Sequence, residues 1–339
     1  MNRNYKSLCF LVLVAQFLFC FSNALAQPSK KVIVSYVTAW TKPIPGPSLI
    51  THINYAFAHV NDQFNGVRID NENRLHEIVK LREEHPHLKI LLSIGGWGSG
   101  RFSEMAGNKE WRNSFAKDCQ RIVKEFKLDG IDIDWEYPTV SDGEISSSPA
   151  DYDNFTLLMK DIRKQIGKKK LLTLASIADG KYIDFKAIDS SIDFVNIMMY
   201  DVSKPPLQHN SLFRSPLAGR LTLVEALDAH LKQGLSKNKL VMGIPFYGRG
   251  DKIEIPDFVM FKELEKFNNY ESKWDDISKV PYLINKQGKL VLTYENLKSL
   301  KAKVDYINNS GILGAMYWEF FGDDDELTLS RALFEGLNN

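Results

Sequence analysis

The sequence contains very little cysteine, and two of its three cysteines lie near the amino terminus. Cys9 and Cys20 fall in a segment that we predict to be removed, so the 313 residues after residue 26 keep Cys119 alone and can form no internal disulfide. Such a chain must derive its stability from a large apolar core, and its length is sufficient to build one. We expect Cys119, which lies in a helical pattern, to be a buried apolar residue and not a nucleophile.

Long apolar runs are missing beyond the first 26 residues. This first segment contains Arg3 and Lys6, an apolar run of 14 residues from Leu8 to Phe21, and then Ala24-Leu25-Ala26. The order is typical of a secretory signal peptide that is cleaved after small residues. A membrane-spanning helix needs about 20 apolar residues. We therefore predict a signal peptide over residues 1–26, a secreted or periplasmic protein, and no membrane span.

The chain also lacks an excess of charge of either sign. It has 43 lysines and arginines against 42 aspartates and glutamates, and no basic run. This balance argues against nucleic acid or an anionic membrane as the main partner. No linker rich in proline or glycine and no internal repeat divides the sequence. We predict one domain over residues 27–339, and a monomer.

Short apolar segments alternate with helical patterns along this domain. We predict strands at Val32–Val37, Ile50–Ala58, Leu88–Ile94, Gly130–Glu136, Leu171–Ile177, Ile192–Tyr200, Leu240–Phe246 and Gly311–Trp318. We predict helices at Arg74–His85, Glu110–Phe126, Asp151–Ile166, Leu223–Gly234 and Tyr294–Asn308. Strand-helix alternation indicates a parallel sheet, and eight strands are the number that closes a (β/α)8 barrel. In such barrels functional residues gather at the carboxyl ends of the strands.

The most informative segment is the fourth predicted strand, in which acids alternate with apolar residues. Asp132, Asp134 and Glu136 occupy every second position, so they share one face and lie about 7 Å apart by the strand rise. Burying like charges together raises their pKa values, which suits a general acid that works near neutral pH. The same pattern also fits the solvated side of an edge strand, or a site for Mg²⁺ or Ca²⁺.

Residues 129–138 resemble, position for position, the active-site strand of the glycoside hydrolase family 18 chitinases. Matching segments lie on seven of the eight predicted strands, at Tyr36, His52–Ala58, Ser93–Trp97, Met198–Asp201, Gly243–Arg249 and Gly314–Glu319. The resemblance therefore covers the whole chain after the predicted signal peptide. It implies a (β/α)8 barrel that hydrolyses glycosidic bonds.

The resemblance also identifies an insertion between the last two predicted strands. About 46 residues, from 249 to 294, exceed an ordinary connection between elements. Trp274-Asp275-Asp276 and Val280-Pro281-Tyr282 are similar to parts of the small α+β insertion that many family members carry there. We expect a short, reduced form of that insertion, with a low wall beside a shallow and open cleft.

The resemblance implies retaining hydrolysis in which the acetamido oxygen of the substrate attacks its own anomeric carbon, an exception to the rule of two catalytic carboxylates. Glu136 would protonate the leaving oxygen and then activate water. Asp134 would hold the acetamido N–H and share a proton or hydrogen bond with Asp132. Tyr200 would donate its hydroxyl to the acetamido carbonyl. Neither a metal nor another cofactor is implied.

The resemblance further implies a set of sugar-binding side chains. Trp318 would form the floor under the reacting sugar, and Trp97 would offer a stacking face on the leaving-group side. Tyr36 and Ser93 would anchor the inner end of the carboxylates. The whole set of expected substrate-binding residues is Tyr36, Phe57, Ser93, Gly96, Trp97, Tyr137, Met198, Asp201, Tyr247, Arg249 and Trp318.

Three functions remain open at this point. The first is an endo-acting chitinase that cuts β-1,4 bonds between N-acetylglucosamine units of chitin or chitooligosaccharides. The second is an endo-β-N-acetylglucosaminidase that acts on N-linked glycans, and the third is a non-catalytic chitin-binding lectin. Trp135-Glu136-Tyr137-Pro138 is the chitinase form of the motif, and lectin-like relatives typically lose the acid. After Asp201 the chain reads Val-Ser-Lys-Pro-Pro where the family usually has Phe-His-Gly.

Overall fold

Eight parallel strands form a closed barrel in the computed structural model, which describes residues 31–42 and 46–338. In chain order the strands are β1 (Val32–Thr38), β2 (His52–Val60), β3 (Val67–Ile69), β4 (Lys89–Gly95), β5 (Gly130–Asp134), β6 (Leu171–Ile177), β7 (Phe194–Met198), β8 (Leu240–Pro245), β9 (Tyr247–Gly250), β10 (Phe258–Met260), β11 (Glu271–Asp275), β12 (Val280–Ile284), β13 (Leu290–Thr293) and β14 (Gly314–Trp318). Strands β1, β2, β4–β8 and β14 make the barrel, which closes because β1 pairs with both β2 and β14. The predicted (β/α)8 barrel is confirmed. The predicted signal peptide lies outside the described residues.

Helices connect most of the barrel strands. They are α1 (Glu72–Lys80), α2 (Phe102–Gly107), α3 (Lys109–Glu125), α4 (Asp151–Ile166), α5 (Phe185–Ile188), α6 (Leu223–Lys232), α7 (Leu297–Ser310) and α8 (Thr328–Asn338). Their apolar faces and the outer faces of the strands share one large buried cluster, which includes Cys119 as predicted. Within the described part of the chain, no helix is long and apolar enough to cross a membrane.

Capping side chains explain where the predicted helix ends are wrong. The Asn71 side chain accepts a hydrogen bond from the backbone N–H of Arg74, so α1 begins at Glu72 and not at Arg74. Asn296 caps α7 in the same way, so this helix begins three residues later than predicted. Asparagine is a preferred residue at this position because its side-chain oxygen satisfies a free backbone N–H. Helix α4 has the predicted bounds.

Strand β5 separates apolar from acidic side chains. Ile131 and Ile133 belong to the cluster between strands and helices. Asp132 and Asp134, at the alternate positions, therefore face the interior of the barrel. The strand ends at Asp134, where its pairing with β4 also ends, so it is two residues shorter than predicted. Glu136 consequently lies beyond the carboxyl end of the strand, at the mouth of the barrel.

The insertion between the seventh and eighth barrel strands is a folded unit. Strands β9–β13 form an antiparallel sheet in the order β10-β9-β13-β12-β11. The sheet has its own buried cluster of Ile255, Val259, Leu283, Val291, Leu292 and Tyr294. Its helical part is the 3-10 helix Phe261–Phe267. The sequence indicated the insertion but not its individual strands, because strands of three to five residues leave weak patterns in a sequence. An open cleft beside it stays a prediction.

Candidate active site

Asp132 is the innermost carboxylate of the barrel, and four side chains donate hydrogen bonds to it. The Tyr36 hydroxyl and the Ser93 hydroxyl each lie 2.8 Å from Oδ2. Thr173 and Asn196 donate to Oδ1, the latter over 3.3 Å. Burial raises the pKa of Asp132, and these hydrogen bonds oppose the increase. Donors on four different strands therefore fix this side chain in one position.

Asp134 lies next on the same face and is much less satisfied. It is buried, and its Oδ1 atom has no hydrogen-bond partner among the described residues. Burial raises its pKa well above the usual range, and the charges of Glu136 and Asp132 raise it further. The predicted hydrogen bond between Asp134 and Asp132 is absent from the described residues. The reason is that neutral donors already occupy both oxygens of Asp132.

Glu136 completes the row of acids at the mouth of the barrel. Burial raises its pKa from 4.5 to about 7, the negative charge of Asp201 contributes to the increase, and a hydrogen bond with Tyr137 opposes it. A carboxyl group with a pKa near 7 can hold a proton in neutral solution and also release it. The three acids therefore differ in function: Asp132 is saturated, Asp134 has an unused acceptor, and Glu136 can exchange a proton.

Tyr200 follows the end of β7 and lies close to these acids. Burial raises its pKa well above 10, and the negative charges of Asp134 and Glu136 raise it further. Its hydroxyl is 3.9 Å from the sulfur of Met316 and makes no stronger hydrogen bond within the described residues. Tyr200 therefore keeps its proton in neutral solution, and this proton is available to an acceptor that enters the barrel.

Asp201 is held as an anion beside this group. Burial by itself raises its pKa, but the interactions with His209 and the positive charge of Arg249 produce a net decrease. The Oδ1 atom of Asp201 lies 3.5 Å from His209 Nδ1 and 3.3 Å from Arg249 Nη1. The guanidinium also pairs with Asp257 at 2.8 Å. The negative charge of Asp201, which acts on Glu136, is thus fixed by two elements outside β7. These are the loop that carries His209 and strand β9.

Aromatic rings cover the inner side of the carboxylates. Trp318, at the end of β14, lies 5.8 Å from Phe57 in a nearly parallel orientation and 5.7 Å from Tyr36. Gly96 adjoins Phe57, and a Cβ atom at this position would be 2.7 Å from the Phe57 ring. Met198 belongs to the same apolar cluster. The cluster gives Trp318 a rigid backing, as a platform for a flat apolar ligand face requires.

The structure places several predicted binding residues beneath the surface of the cleft. Tyr36 is 1% exposed and Ser93 is fully buried, and both support Asp132, as expected for the inner end of the carboxylates; a direct contact of either with substrate stays a prediction. Tyr247 is 2% exposed and stacks on Phe258 at 4.1 Å. Phe258 of the insertion thus packs on the Tyr247 ring, and the expected contact of Tyr247 with substrate stays a prediction. Trp97, in contrast, is 64% exposed, and its nearest aromatic neighbour is Tyr137 at 6.4 Å.

The chain is similar to known proteins in both sequence and fold. The sequence model described as Glycosyl hydrolases family 18 matches residues 32–323, a span that includes all of the acids described above. The chain belongs to glycoside hydrolase family 18. The resemblance found in the sequence is thereby confirmed.

Relatives of this family 18 chain include proteins named as chitinases. It is 30% identical to chitinase A1 of Niallia circulans, with 96% of the chain and 61% of that protein covered. It is 28% identical to probable chitinase 2 of Drosophila melanogaster, with 87% and 72% covered. The chain thus spans about three fifths of the length of the first relative.

Solved structures of the family agree closely with this one. An N-acetylglucosaminidase of family 18 from Paenibacillus barengoltzii gives a TM-score of 0.81 at 30% identity, with 90% of this chain and 99% of that chain covered. A chitinase from Rhizomucor miehei gives 0.81 at 26% identity, with 90% and 100% covered.

The structure adds residues that the sequence reasoning missed in this family 18 site. Thr173 and Asn196 donate hydrogen bonds to Asp132, and the signal for both was a polar residue inside a largely apolar strand. Glu319 follows Trp318 directly, and burial raises its pKa to about 7. Trp40 lies two residues beyond β1 and is 67% exposed, so it presents an indole at the same end of the barrel. Among the described residues, no group of three or more potential ligands is arranged to hold a metal.

Proposed function

We propose that this chain hydrolyses β-1,4 bonds between N-acetylglucosamine units of chitin or chitooligosaccharides. The observation that carries the proposal is the unequal hydrogen bonding of Asp132 and Asp134. Asp132 is saturated, whereas Asp134 keeps a buried oxygen without a partner among the described residues. A buried acceptor without a donor is costly, so a ligand that supplies an N–H is favoured there. Every sugar of chitin carries such an N–H in its acetamido group.

The first chemical step would join three events. Glu136 transfers its proton to the glycosidic oxygen, and the bond from this oxygen to the anomeric carbon breaks. The acetamido oxygen of the same sugar forms a new bond to the anomeric carbon, which gives a positively charged oxazolinium ring. Asp134 accepts the acetamido N–H and stabilises the charge, and the Tyr200 hydroxyl donates to the acetamido oxygen. The pKa of Tyr200, raised by burial, supports its role as a donor.

The second step would return the enzyme to its initial state. The Glu136 carboxylate takes a proton from water, and the water oxygen attacks the anomeric carbon from the face that the leaving sugar vacated. The ring opens, the configuration is retained, and Glu136 is protonated again. A pKa of about 7 suits both halves of this cycle, since the group must donate first and accept afterwards.

Exposed aromatic rings support a binding mode for an extended sugar chain. Trp318 backs the reacting sugar, and its rigid contacts with Phe57 and Tyr36 favour stacking against a pyranose face. Trp97 would stack on the sugar of the leaving group. Trp40, at the carboxyl end of β1, offers a third indole for a more distant sugar. Three separated stacking faces favour a chain of several sugars over a single one.

A second candidate is the release of single N-acetylglucosamine units from a chain end. Similarity along 99% of a family 18 structure that is named an N-acetylglucosaminidase favours it. Cleavage of N-linked glycans is a third candidate, and binding of sugar chains without cleavage is a fourth. The retained Glu136, with a pKa raised to about 7, argues against binding alone.

The test is a comparison of products. The mature protein is incubated with chitohexaose and, separately, with a high-mannose glycoprotein, and the products are identified by mass spectrometry, with Glu136→Gln as the inactive control. Dimers and larger fragments from the hexamer support the chitinase proposal, and monomers alone support the second candidate. If glycan is released from the glycoprotein and the chitohexaose stays intact, the activity is cleavage of N-linked glycans. No product from either substrate would contradict hydrolysis.

We propose that the protein is exported before it acts. The support is the order of basic, apolar and small residues over positions 1–26. Sequencing the amino terminus of the protein recovered from the periplasm or the medium tests this. A terminus at Gln27 is expected, and an intact Met1 would contradict it.

A further inference from the structure

His59 joins three segments at the mouth of the barrel. Its Nδ1 atom lies 2.8 Å from the Ser99 hydroxyl, and its Nε2 atom lies 2.9 Å from Oδ2 of Asp70. His59 is the last residue but one of β2, and Asp70 follows β3, which pairs with β2 in an antiparallel hairpin. Ser99 belongs to the loop of residues 96–100 that follows β4. The imidazole therefore links this hairpin to a loop of another strand.

The backbone of the loop of residues 96–100 can adopt many conformations, so a contact with a neighbouring segment is needed to hold it in one of them. Gly95, Gly96 and Gly98 have φ angles of 129°, 91° and 78°, which only glycine adopts readily. Glycine gives a loop many accessible conformations, so contacts to neighbouring segments must select one of them. Inside the loop, a single turn bond runs from the N–H of Ser99 to the carbonyl of Gly96, 3.0 Å away.

A second contact joins the hairpin to Arg101, the residue that follows the loop, and is weaker. Arg101 Nη2 lies 2.8 Å from Oδ1 of Asp62, but the two side chains are 42% and 69% exposed. Ion pairs in contact with water contribute little. The His59 side chain is 22% exposed and Ser99 is almost buried, so their contact is better shielded from solvent. The link through His59 is therefore the stronger constraint on the loop.

This loop carries Trp97, whose indole adjoins Gly143 and makes no hydrogen bond within the described residues. The indole is 64% exposed, and its one aromatic neighbour among the described residues is Tyr137, in an edge arrangement at 6.4 Å. Its orientation hence follows the backbone of the loop, and Ser99 is only two residues away. We propose that His59, through Ser99, is a positioning residue that fixes Trp97 for the sugar on the leaving-group side. The inference rests on the proposed function, in which Trp97 stacks on that sugar.

Two substitutions of His59 separate its two hydrogen bonds. An asparagine amide can occupy the position of Nδ1 and keep the contact with Ser99, whereas a glutamine amide reaches the position of Nε2 and keeps the contact with Asp70. We expect His59→Gln and Ser99→Ala to raise KM for chitohexaose about three- to tenfold, as expected for one lost hydrogen bond, with kcat changed less than about twofold. His59→Asn should retain a KM close to that of the unchanged protein.

A double-mutant cycle tests whether His59 acts through Trp97. Trp97→Ala should raise KM, and adding His59→Gln should raise it no further, since the residue being positioned is already missing. The matched control is His76→Gln on helix α1, where the ring packs against Phe126 at 4.8 Å and makes no hydrogen bond to the loop within the described residues. This control should leave KM and kcat unchanged. Circular dichroism and thermal unfolding of each variant establish that it is folded.

The outcomes separate this inference from the proposed function. Equal KM values for the unchanged protein, His59→Gln and Ser99→Ala, together with a raised KM for Trp97→Ala, overturn the positioning role and leave hydrolysis intact. A further increase of KM when His59→Gln is added to Trp97→Ala also overturns it. If the unchanged protein cleaves no chitin, the proposed function fails. In that case, dissociation constants for chitohexaose are measured by tryptophan fluorescence in the Glu136→Gln background. The positioning role is then decided by comparing these constants among the same His59, Ser99 and Trp97 substitutions.

Discussion

Replacement of Glu136 by glutamine should greatly lower turnover and also stabilise the fold in alkaline solution. In the folded protein the pKa of Glu136 is raised from 4.5 to about 7, mainly by burial. The folded state thus favours the protonated form, so this group stabilises the fold below pH 4.5 relative to alkaline solution. The stability is lost progressively as the pH rises from 4.5 through about 7. Glutamine cannot ionise, and the variant should therefore keep the stability that the carboxyl group loses.

The magnitude follows from the two pKa values. The interval from 4.5 to about 7 corresponds to ~3 kcal/mol for full ionisation, because one pKa unit is ~1.4 kcal/mol. Solvent screens a carboxylate at the mouth of the barrel, so we expect roughly 1–3 kcal/mol at pH 8 and less than about 1 kcal/mol at pH 5. For a chain of this size the difference at pH 8 amounts to about 2–6 °C in Tm.

The assay is thermal unfolding of the unchanged protein and of Glu136→Gln at pH 5 and pH 8, with chitohexaose turnover measured in parallel. Turnover should fall by about 10²–10⁴-fold, the contribution of a positioned general acid. The matched control is Glu335→Gln on the exposed face of α8, which should change neither quantity. A Tm difference that is the same at both pH values would refute the raised pKa, and retained turnover would refute the catalytic role.

Three further substitutions test the neighbours of Glu136. Asp134→Asn should lower kcat on chitohexaose about 10–100-fold, as expected for a lost hydrogen bond to a charged group. The dissociation constant, measured by calorimetry, is the control. An unchanged kcat would contradict the role of Asp134. Tyr200→Phe should lower kcat about tenfold or more, because the hydroxyl proton is lost; a loss confined to KM would point to simple binding. Asp201→Asn removes a negative charge that raises the pKa of Glu136, so the alkaline limb of kcat/KM should move to lower pH. An alkaline limb at the same pH would exclude that coupling.

The sequence best predicted those features that depend on the residue pattern within a single strand or helix. Strand β5 could be predicted because two isoleucines alternate with two aspartates, and each set faces one side. Helix α4 has its predicted bounds because its apolar positions repeat with the helical period. The positions of Glu136 and Trp318 followed in turn, since both lie at the carboxyl ends of barrel strands.

What the sequence could not predict depends on contacts between distant segments. Thr173 and Asn196 are 41 and 64 residues from Asp132, and only closure of the barrel brings them to its carboxylate. Similarly, His59 and Ser99 are 40 residues apart. Likewise, nothing in the segment of Tyr247 indicates that Phe258 stacks on its ring. Each of these facts is a property of packing, and neither periodicity nor a local motif reports it.

The three acids in the barrel differ in how the cost of their burial is compensated. Asp132 is compensated by neutral donors from four strands, so its burial needs no counter-ion. Glu136 has partial access to solvent and a proton to exchange near pH 7. The cost of burial therefore falls on Asp134, whose Oδ1 has no donor among the described residues. Because a bound acetamido N–H would remove this cost at the position where positive charge develops, the least compensated of the three acids is also the one with the most to gain from the substrate.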